Sequence, residues 1–286
     1  MSVIAAKYFN GYGWCVAKNR DRSYKPSVRL RKSHRNGMER LYIWDSLTKF
    51  TEGVNEHGVA IVSASISNEK DEREAAKAVG PKAGNPRRYY SPEGFRIRKA
   101  LFEVNAEFAL NSLIRQEVTG STLVLDEHEC YILEGSYTSD DRYVFEFKRL
   151  VPGDTVVRTN HGVLLPWLGY GHDDGELYQS SVSRHQVVTQ ELVSVKDPNQ
   201  LLDVLSIISD KQNPQNNPLR IDSRRNFART TGQLLIIPAN RTLAYRPIWC
   251  DMKFRFDDLG IKPQKTFFEI VSNQKLVSFK EHTHGL

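Results

Sequence analysis

The chain has 286 residues, with 40 Lys and Arg against 34 Asp and Glu, which gives a formal net charge of +6 at pH 7. Hydrophobic residues make up 40% of the chain and aromatic residues 10%, which excludes an intrinsically disordered protein. Its mean hydropathy is −0.50, and no apolar run approaches the roughly 18 residues of a membrane span. We therefore expect a folded, soluble protein.

Neither the cysteines nor the first residues indicate export. Cys15, Cys130 and Cys250 are far apart and form no C-x-x-C pair, so a disulfide framework and a zinc ribbon are both excluded. Residues 1–14 include Lys7 and Asn10 and lack the apolar core of a secretory signal. We expect a cytoplasmic protein.

The first predicted elements are two strands, 3–9 and 12–19, joined by a hairpin turn at Asn10-Gly11. In a two-residue turn the numbers of paired residues add to 21, so Ser2 would face Asn19. Side chains alternate across a strand, so Asn19 and Asp21 would share the face of Ser2 unless a bulge shifts the register by one. The start of the chain should thus lie beside Asp21.

A dense basic run follows, in which Asp21 and Glu39 are the acidic residues. One interpretation is a patch for an anionic substrate or nucleic acid. The other, which we favour, is a solvated loop, because no stacking-aromatic pattern or recognised nucleic-acid motif accompanies the charges. The cations of this run are Lys18, Arg20, Arg22, Lys25, Arg29, Arg31, Lys32, Arg35 and Arg40.

The rest of the chain alternates between strand and helix patterns. Residues 58–66 are rich in β-branched residues and predict a strand, and the polar insert 69–92 is a candidate lid. Helical spacing covers 95–114, 180–192 and 201–209; strands are predicted at 121–126, 130–134, 143–149, 155–159, 233–237 and 242–246, and a loop at 210–226. This order favours a single layered domain over 1–286 with largely antiparallel sheets, residues 250–286 being an extension.

Ser2 and Asp21 together suggest a mechanism. If Met1 is removed, Ser2 has a free α-amine with an ordinary pKa of about 7.7–8.0, close enough to neutrality to act as general base for its own hydroxyl. Asp21 would accept a hydrogen bond from that amine and orient it.

Four segments resemble, in the right order, the motifs of one enzyme family. They are residues 16–21 (VAKNRD), 51–60 (TEGVNEHGVA), 157–161 (VRTNH) and 180–184 (SSVSR). The family is that of the N-terminal nucleophile hydrolases of the choloylglycine hydrolase, penicillin V acylase and acid ceramidase type. The spacing from Ser2 to Asp21 is also similar to the one this family shows. The resemblance extends over about residues 2–246.

The resemblance implies a role for each matching residue. Ser2 would be the nucleophile, its α-amine the base, and Asp21 the residue that holds the amine. Lys18 stands where the family usually has arginine, and Asn160 would donate its side-chain N–H to the oxyanion of the tetrahedral intermediate. Arg184 would complete the polar group around them.

The sequence departs from the family at two of these positions. The family nucleophile is normally cysteine, and Lys18 lacks the planar, bidentate donor of arginine. Cys15 is the rival nucleophile, although we expect it, like Cys130 and Cys250, to be a buried apolar residue. Ser65 could add a second oxyanion contact, and His161 could touch the substrate or point away from it.

The resemblance implies an α+β fold, a four-layer αββα sandwich of two stacked, mainly antiparallel sheets. It also implies a hydrolase that cleaves a linear, non-peptide C–N amide bond through an acyl-enzyme and needs no cofactor or metal. We expect a small amide as substrate, either neutral or anionic. A membrane and nucleic acid are not expected as partners, and a homo-oligomer is compatible with the resemblance. The alternatives are an acyltransferase using the same acyl-enzyme, and an inactive binding protein that uses the Lys18–Arg40 run.

Metal-binding motifs are not indicated elsewhere. Each remaining histidine cluster lacks further ligands at a recognisable spacing, so we expect solvated loops there. The clusters are His172-Asp173-Asp174 and His282 with His284.

Overall fold

The structure is a computed structural model that describes residues 2–66, 92–138, 140–168, 175–221, 228–252 and 268–271. The candidate lid, apart from its last residue Pro92, lies outside the described residues. So do Met1 and both histidine clusters.

Two sheets contain all the described strands. The first sheet has the order β10-β1-β2-β11-β12-β14 and the second the order β13-β3-β4-β5-β6-β7-β8-β9. All pairs are antiparallel except β13 with β3. The strands are β1 Ser2–Phe9, β2 Gly13–Arg22, β3 Ser27–Arg35, β4 Met38–Asp45, β5 Thr51–Asn55, β6 Ala60–Ala64, β7 Gly120–Leu125, β8 Cys130–Tyr137, β9 Tyr143–Leu150, β10 Thr155–Arg158, β11 Arg229–Ile237, β12 Thr242–Pro247, β13 Asp251–Met252 and β14 Phe268–Val271.

The described helices form two pairs. They are α1 Pro92–Ala100, α2 Ala106–Arg115, α3 Glu176–Leu192 and α4 Gln200–Leu205, with short 3₁₀ turns at Pro214–Asn216 and Pro238–Asn240. Asn105 begins α2, because its side chain accepts a hydrogen bond from the backbone N–H of Phe108. None of these helices is long and apolar enough to cross a membrane.

Three buried clusters set the order of the layers. One contains Ile4 and Trp14 of the first sheet with Leu41 and Leu123 of the second, so it fills the space between the sheets. A second joins the outer face of the first sheet to α3 and α4, and a third joins the outer face of the second sheet to α1 and α2. The expected α+β, four-layer αββα sandwich is confirmed.

Strands β1 and β2 are buried on both faces, and their residues divide by number. Even-numbered residues such as Ile4 and Val16 face the second sheet, whereas odd-numbered residues such as Val3 and Ala17 face the helices. Because successive side chains of a strand point to opposite faces, a shift of register by one residue would exchange the two environments.

The predicted hairpin register is wrong by one residue. Phe9 pairs with Gly13 and Ser2 with Arg20, so three residues, Asn10 to Tyr12, form the connection. The backbone N–H of Tyr12 donates to the carbonyl of Phe9 at 3.1 Å and closes this turn. The Asn-Gly pair predicted the position of the hairpin correctly, but the predicted length of its loop was one residue too short.

Gly13, which begins β2, approaches a neighbouring loop too closely for any side chain. Its φ is +66°, and a Cβ atom there would lie 2.1 Å from the carbonyl oxygen of Glu127. The next residue, Trp14, donates its backbone N–H to the same oxygen at 3.2 Å. Gly37 has a similar φ of +75° but nothing within 4 Å of a Cβ.

These two glycines form a matched pair for a stability test. We expect Gly37→Ala to lower the free energy of unfolding by about 1–2 kcal/mol through backbone strain alone. Gly13→Ala adds a steric overlap, which costs about 1–3 kcal/mol more. Urea unfolding of both variants measures the difference, and equal losses would show that the approach to Glu127 is not tight.

Candidate active site

Ser2 is the first residue of β1, the strand that lies between β10 and β2. Ile4 pairs with Arg158, and continuing that register two residues places Ser2 opposite Asn160. The backbone nitrogen of Ser2 donates to Asn160 Oδ1 at 3.0 Å, and both residues are buried. The structure therefore brings the predicted nucleophile and the predicted oxyanion donor together.

The Asn160 side chain is held on both ends of its amide. Its Oδ1 also accepts from Arg184 Nη2 at 3.0 Å, and its Nδ2 donates to the carbonyl of Ser65 at 2.7 Å. Because donors surround the oxygen and an acceptor meets the nitrogen, this contact set determines the amide orientation. The Nδ2 atom has a second N–H, which is the donor that the oxyanion role requires.

Arg184, on α3, connects Asn160 to Asp21. Its Nη1 donates to Asp21 Oδ2 at 3.0 Å, and both side chains are fully buried. Asp21 Oδ1 accepts from Thr230 Oγ1 of β11 at 2.8 Å. One guanidinium thus bridges the ends of the two strands on either side of β1.

Around this bridge, further polar groups hold α3 against the first sheet. Arg184 Nε donates to the carbonyl of Ser180 in the preceding turn at 3.2 Å. The hydroxyl of Ser180 donates to the carbonyl of Gln215 and accepts from Arg220 Nη2, each at 2.5 Å. Sequence reasoning missed Arg220 and Thr230, since nothing local distinguishes them from surface residues.

A second charged group lies between the sheets, on the face of β2 that Ser2 shares. Lys18 Nζ contacts the carboxylate of Glu52 and the carbonyl of Ser63, and Arg20 Nε lies 3.0 Å from Glu52 Oε2. The Arg20 contact is an ion pair without hydrogen-bond alignment. All three charged side chains are fully buried.

Burial and opposite charge compete in this group. Burial lowers the pKa of Lys18 to about 7, although Glu52 acts in the opposite direction. Burial also opposes ionisation of Glu52, but Lys18 and Arg20 outweigh it and lower the pKa of this carboxyl below its ordinary value. Below about pH 7, where Lys18 is protonated, two cations face the carboxylate of Glu52 near Ser2, whereas at higher pH Arg20 alone balances it.

The shifted register corrects the prediction that Asp21 and Asn19 share the face of Ser2. Arg20 and Lys18 lie on that face, whereas Asp21 points to the helix layer and joins Asn160 through Arg184. Asn19 donates to the carbonyls of Leu205 and Pro218, each at 2.7 Å, and so supports the helix layer.

The Lys18–Arg40 run is not a solvated loop, nor does it form one surface. Most of it lies in β2, β3 and β4, so alternation distributes its cations over different faces. Lys18 and Arg20 lie between the sheets, whereas the guanidinium of Arg31 lies 4.0 Å from the ring centre of Trp44, on the outer face of the second sheet. The interpretation of this run as a single continuous basic patch is therefore wrong.

His161 is about half-buried and contacts Asn160 indirectly, through Ser181. Its Nδ1 is 2.9 Å from Ser181 Oγ, which accepts the backbone N–H of Asn160 at 2.8 Å. Burial and then His185 lower the pKa of His161 to about 4, so its ring is neutral at pH 7. Through Ser181, His161 positions the backbone of Asn160.

Cys15 is excluded as the nucleophile. It is fully buried among the apolar residues that face the helices, opposite Lys7, on the face of the sheet away from the Ser2 side chain. Burial raises the pKa of its thiol to about 12 and that of Cys130 above its ordinary value as well. In the described ranges, His, Cys, Asp and Glu side chains form no group of three that could hold a metal ion.

Comparisons with known proteins give structural similarity only. No family model and no curated protein sequence matches the chain. Among solved structures, penicillin V acylase from Agrobacterium tumefaciens is 13% identical, with 86% of this chain and 82% of that chain covered and a TM-score of 0.46. A variant of the conjugated bile acid hydrolase from Clostridium perfringens is 10% identical over 96% of this chain and 93% of that chain, also with a TM-score of 0.46.

The arrangement contains all five predicted site residues. Ser2, Asp21, Asn160 and Arg184 are joined by direct contacts, and Lys18 lies two residues along β2 from Arg20, the partner of Ser2. Glu52, which pairs with Lys18 and Arg20, received no role from the sequence. Its position in the matched segment 51–60 was the available signal.

The pKa of Lys18 predicts a pH effect on stability. The folded pKa of about 7 lies below the ordinary 10.5, so between these values the unfolded chain binds more protons. The free energy of unfolding should therefore rise with pH from about 7 to about 10. Lys18→Met should remove this rise, whereas Lys32→Met, at a partly exposed ion pair with Glu39, should keep it.

Urea unfolding at several pH values measures this effect as the difference between wild type and variant. Parallel pH profiles for wild type and Lys18→Met would contradict it.

Arg184 should couple strongly to Asp21. Arg184→Met removes the guanidinium from the buried carboxylate of Asp21 and should cost about 3–5 kcal/mol. Adding Asp21→Asn removes that charge, so the double variant should be more stable than the sum of the two single losses predicts. A double-mutant cycle by urea unfolding gives the coupling energy, and additivity within about 0.5 kcal/mol would mean that no such pair exists.

Proposed function

We propose that the chain is an N-terminal nucleophile hydrolase that cleaves a linear, non-peptide amide through an acyl-enzyme on Ser2. The observation that carries the proposal is the 3.0 Å contact between the Ser2 nitrogen and Asn160 Oδ1, with Arg184 bridging Asn160 to Asp21. Removal of Met1 would convert that nitrogen into an α-amine already placed in a polar site.

In the proposed reaction the amine and hydroxyl of Ser2 act together. The neutral amine donates to Asn160 Oδ1, and its lone pair takes the proton of Ser2 Oγ as that oxygen attacks the amide carbon. The same proton then passes to the leaving nitrogen as the C–N bond breaks. Water then attacks the resulting ester while the amine takes a proton from it. The amine returns this proton to Ser2 Oγ as the acyl group leaves.

The surrounding charges favour both the neutral amine before the reaction and the negative oxyanion that forms during it. Arg184 and Arg20, together with Lys18 where it is protonated, disfavour a further positive charge, so they favour the neutral amine that a base requires. The same cations, with the second N–H of Asn160 Nδ2, stabilise a negative oxyanion. This is why Asn160 is the proposed oxyanion donor, and why Lys18 can act without the geometry of arginine.

An amine that replaces water in the second step would make the product an amide and the enzyme an acyltransferase. Both reactions use the same acyl-enzyme, so they are two outcomes of one mechanism. Product analysis with and without an added amine acceptor distinguishes them.

The Ser2 hydroxyl provides the central test. Turnover of a panel of chromogenic linear amides should fall by about 10⁴ or more in Ser2→Ala. Ser2→Cys should retain turnover, because thiolate is the stronger nucleophile. Ser23→Ala, an exposed residue nearby, should leave the rate unchanged. Equal rates for wild type and Ser2→Ala would refute the proposal.

The amine is tested separately by controlling what precedes Ser2. The chain is released by a site-specific protease either at Ser2 or with one additional residue, and intact mass confirms each product. We expect turnover from the first product and none from the second. Equal activity of both would exclude the α-amine as base.

A further inference from the structure

The last strand of the second sheet, β9, has a long free edge in the part of the chain that the structure describes. It pairs with β8 from Tyr143 to Leu150 without a bulge and contains neither proline nor glycine. Five consecutive residues, 145–149, are exposed. A long, regular and exposed edge strand is a template for pairing with another strand.

Two phenylalanines make this edge apolar as well as free. Phe145 is 39% exposed and Phe147 is 50% exposed, and Val151 just beyond the strand is 59% exposed. Tyr143 stacks on Phe145, with ring centres 5.9 Å apart. Helices α1 and α2 pack on β5, β7 and β8, and Phe145 and Phe147 remain exposed on the neighbouring strand β9.

We propose that two copies of this chain pair through β9, extending the second sheet across a twofold axis at Phe147. A twofold axis perpendicular to a sheet makes the two edge strands antiparallel and keeps each face on its own side. Directly opposed residues share a face, so they must both be odd-numbered or both even-numbered. The axis must therefore lie midway between one residue and its own copy, and not at the level of a peptide bond between two successive residues.

Among axes at the exposed residues 145–148, the charges of β9 favour one. An axis at Glu146 would place two glutamates opposite each other, and an axis at Lys148 two lysines. An axis at Phe145 would oppose Lys148 to Arg142. An axis at Phe147 avoids all of these like-charge pairs.

With Phe147 on the axis, both faces of the joined sheet are complementary. On one face Glu146 meets the partner's Lys148 twice by symmetry, and Val144 meets the partner's Leu150. On the other face Phe147 meets its own copy, Phe145 meets the partner's Arg149, and Tyr143 meets the partner's Val151. Arginine over an aromatic ring is favourable, and Arg149 also contacts Glu129 at 2.6 Å in its own chain.

Sedimentation velocity of the full chain tests the proposal. Wild type should sediment as a dimer, twice the 32.8 kDa of one chain. Glu146→Lys and Lys148→Glu each create two like-charge pairs, and Phe147→Asp places two carboxylates on the axis. Each should raise the dimer Kd by about tenfold or more, whereas Lys196→Glu, an exposed charge reversal elsewhere, should not.

The double variant Glu146→Lys with Lys148→Glu decides the register, because it exchanges the charges and restores both ion pairs. Recovery of the dimer supports the axis at Phe147. A monomeric wild type, a dimer that is insensitive to all single variants, or a double variant that stays monomeric would overturn the proposal. Circular dichroism checks folding, and Glu146→Gln, expected to weaken the dimer several-fold, replaces any charge-reversed variant that does not fold.

Discussion

The site depends on one buried cation, the guanidinium of Arg184. It comes from a helix outside the first sheet and contacts residues at the ends of two strands, Asp21 on β2 and Asn160 after β10. Strand β1 runs between those two, and its first residue is Ser2. A buried charge is tolerated only when it is paired and hydrogen-bonded, so Arg184, Asp21 and Asn160 stabilise their positions mutually. The backbone nitrogen of Ser2 is held by Asn160, and thus indirectly by Arg184.

A second group of charges, on the other face of the same strands, gives the site its electrostatic character. Arg184 and Asp21 balance, whereas Lys18 and Arg20 share the single carboxylate of Glu52. Below about pH 7, where Lys18 is protonated, this group has an excess positive charge in the interior, where screening by water is weak. Such a charge favours any reaction in which an oxygen atom near Ser2 becomes negative. The fold thus separates a neutral group that positions residues from a cationic group that polarises.

Much of the fold and part of the site could be predicted from the sequence, for identifiable reasons. The strands and helices follow local periodicity, and the order of the matched segments indicated that Ser2, Asp21, Asn160 and Arg184 meet. The hairpin register could not be predicted, because a two-residue and a three-residue connection at Asn10 differ only in turn geometry. That single residue decided which of Arg20 and Asp21 shares the face of Ser2.

The partners missed by sequence reasoning share one property. Thr230 contacts Asp21 across about two hundred residues of chain, and Arg220 contacts Ser180 from a segment with no regular structure. No local pattern marks such contacts, since they depend on how strands and helices pack. Glu52 differs, because a charged residue inside a buried strand requires an ionic partner, and Lys18 and Arg20 were the candidates at hand.

Because Ser2 is the first residue of β1, the length of that strand determines where the proposed nucleophile lies. The strand is anchored at its other end by the Asn10 turn, so the number of residues between turn and Ser2 sets where the serine stops. Deleting one residue within β1 would withdraw Ser2 by about 3.4 Å and rotate its side chain toward the helices. The residue count of β1 is therefore constrained more tightly than its composition, and side chains such as Ala5 are easier to exchange than to remove.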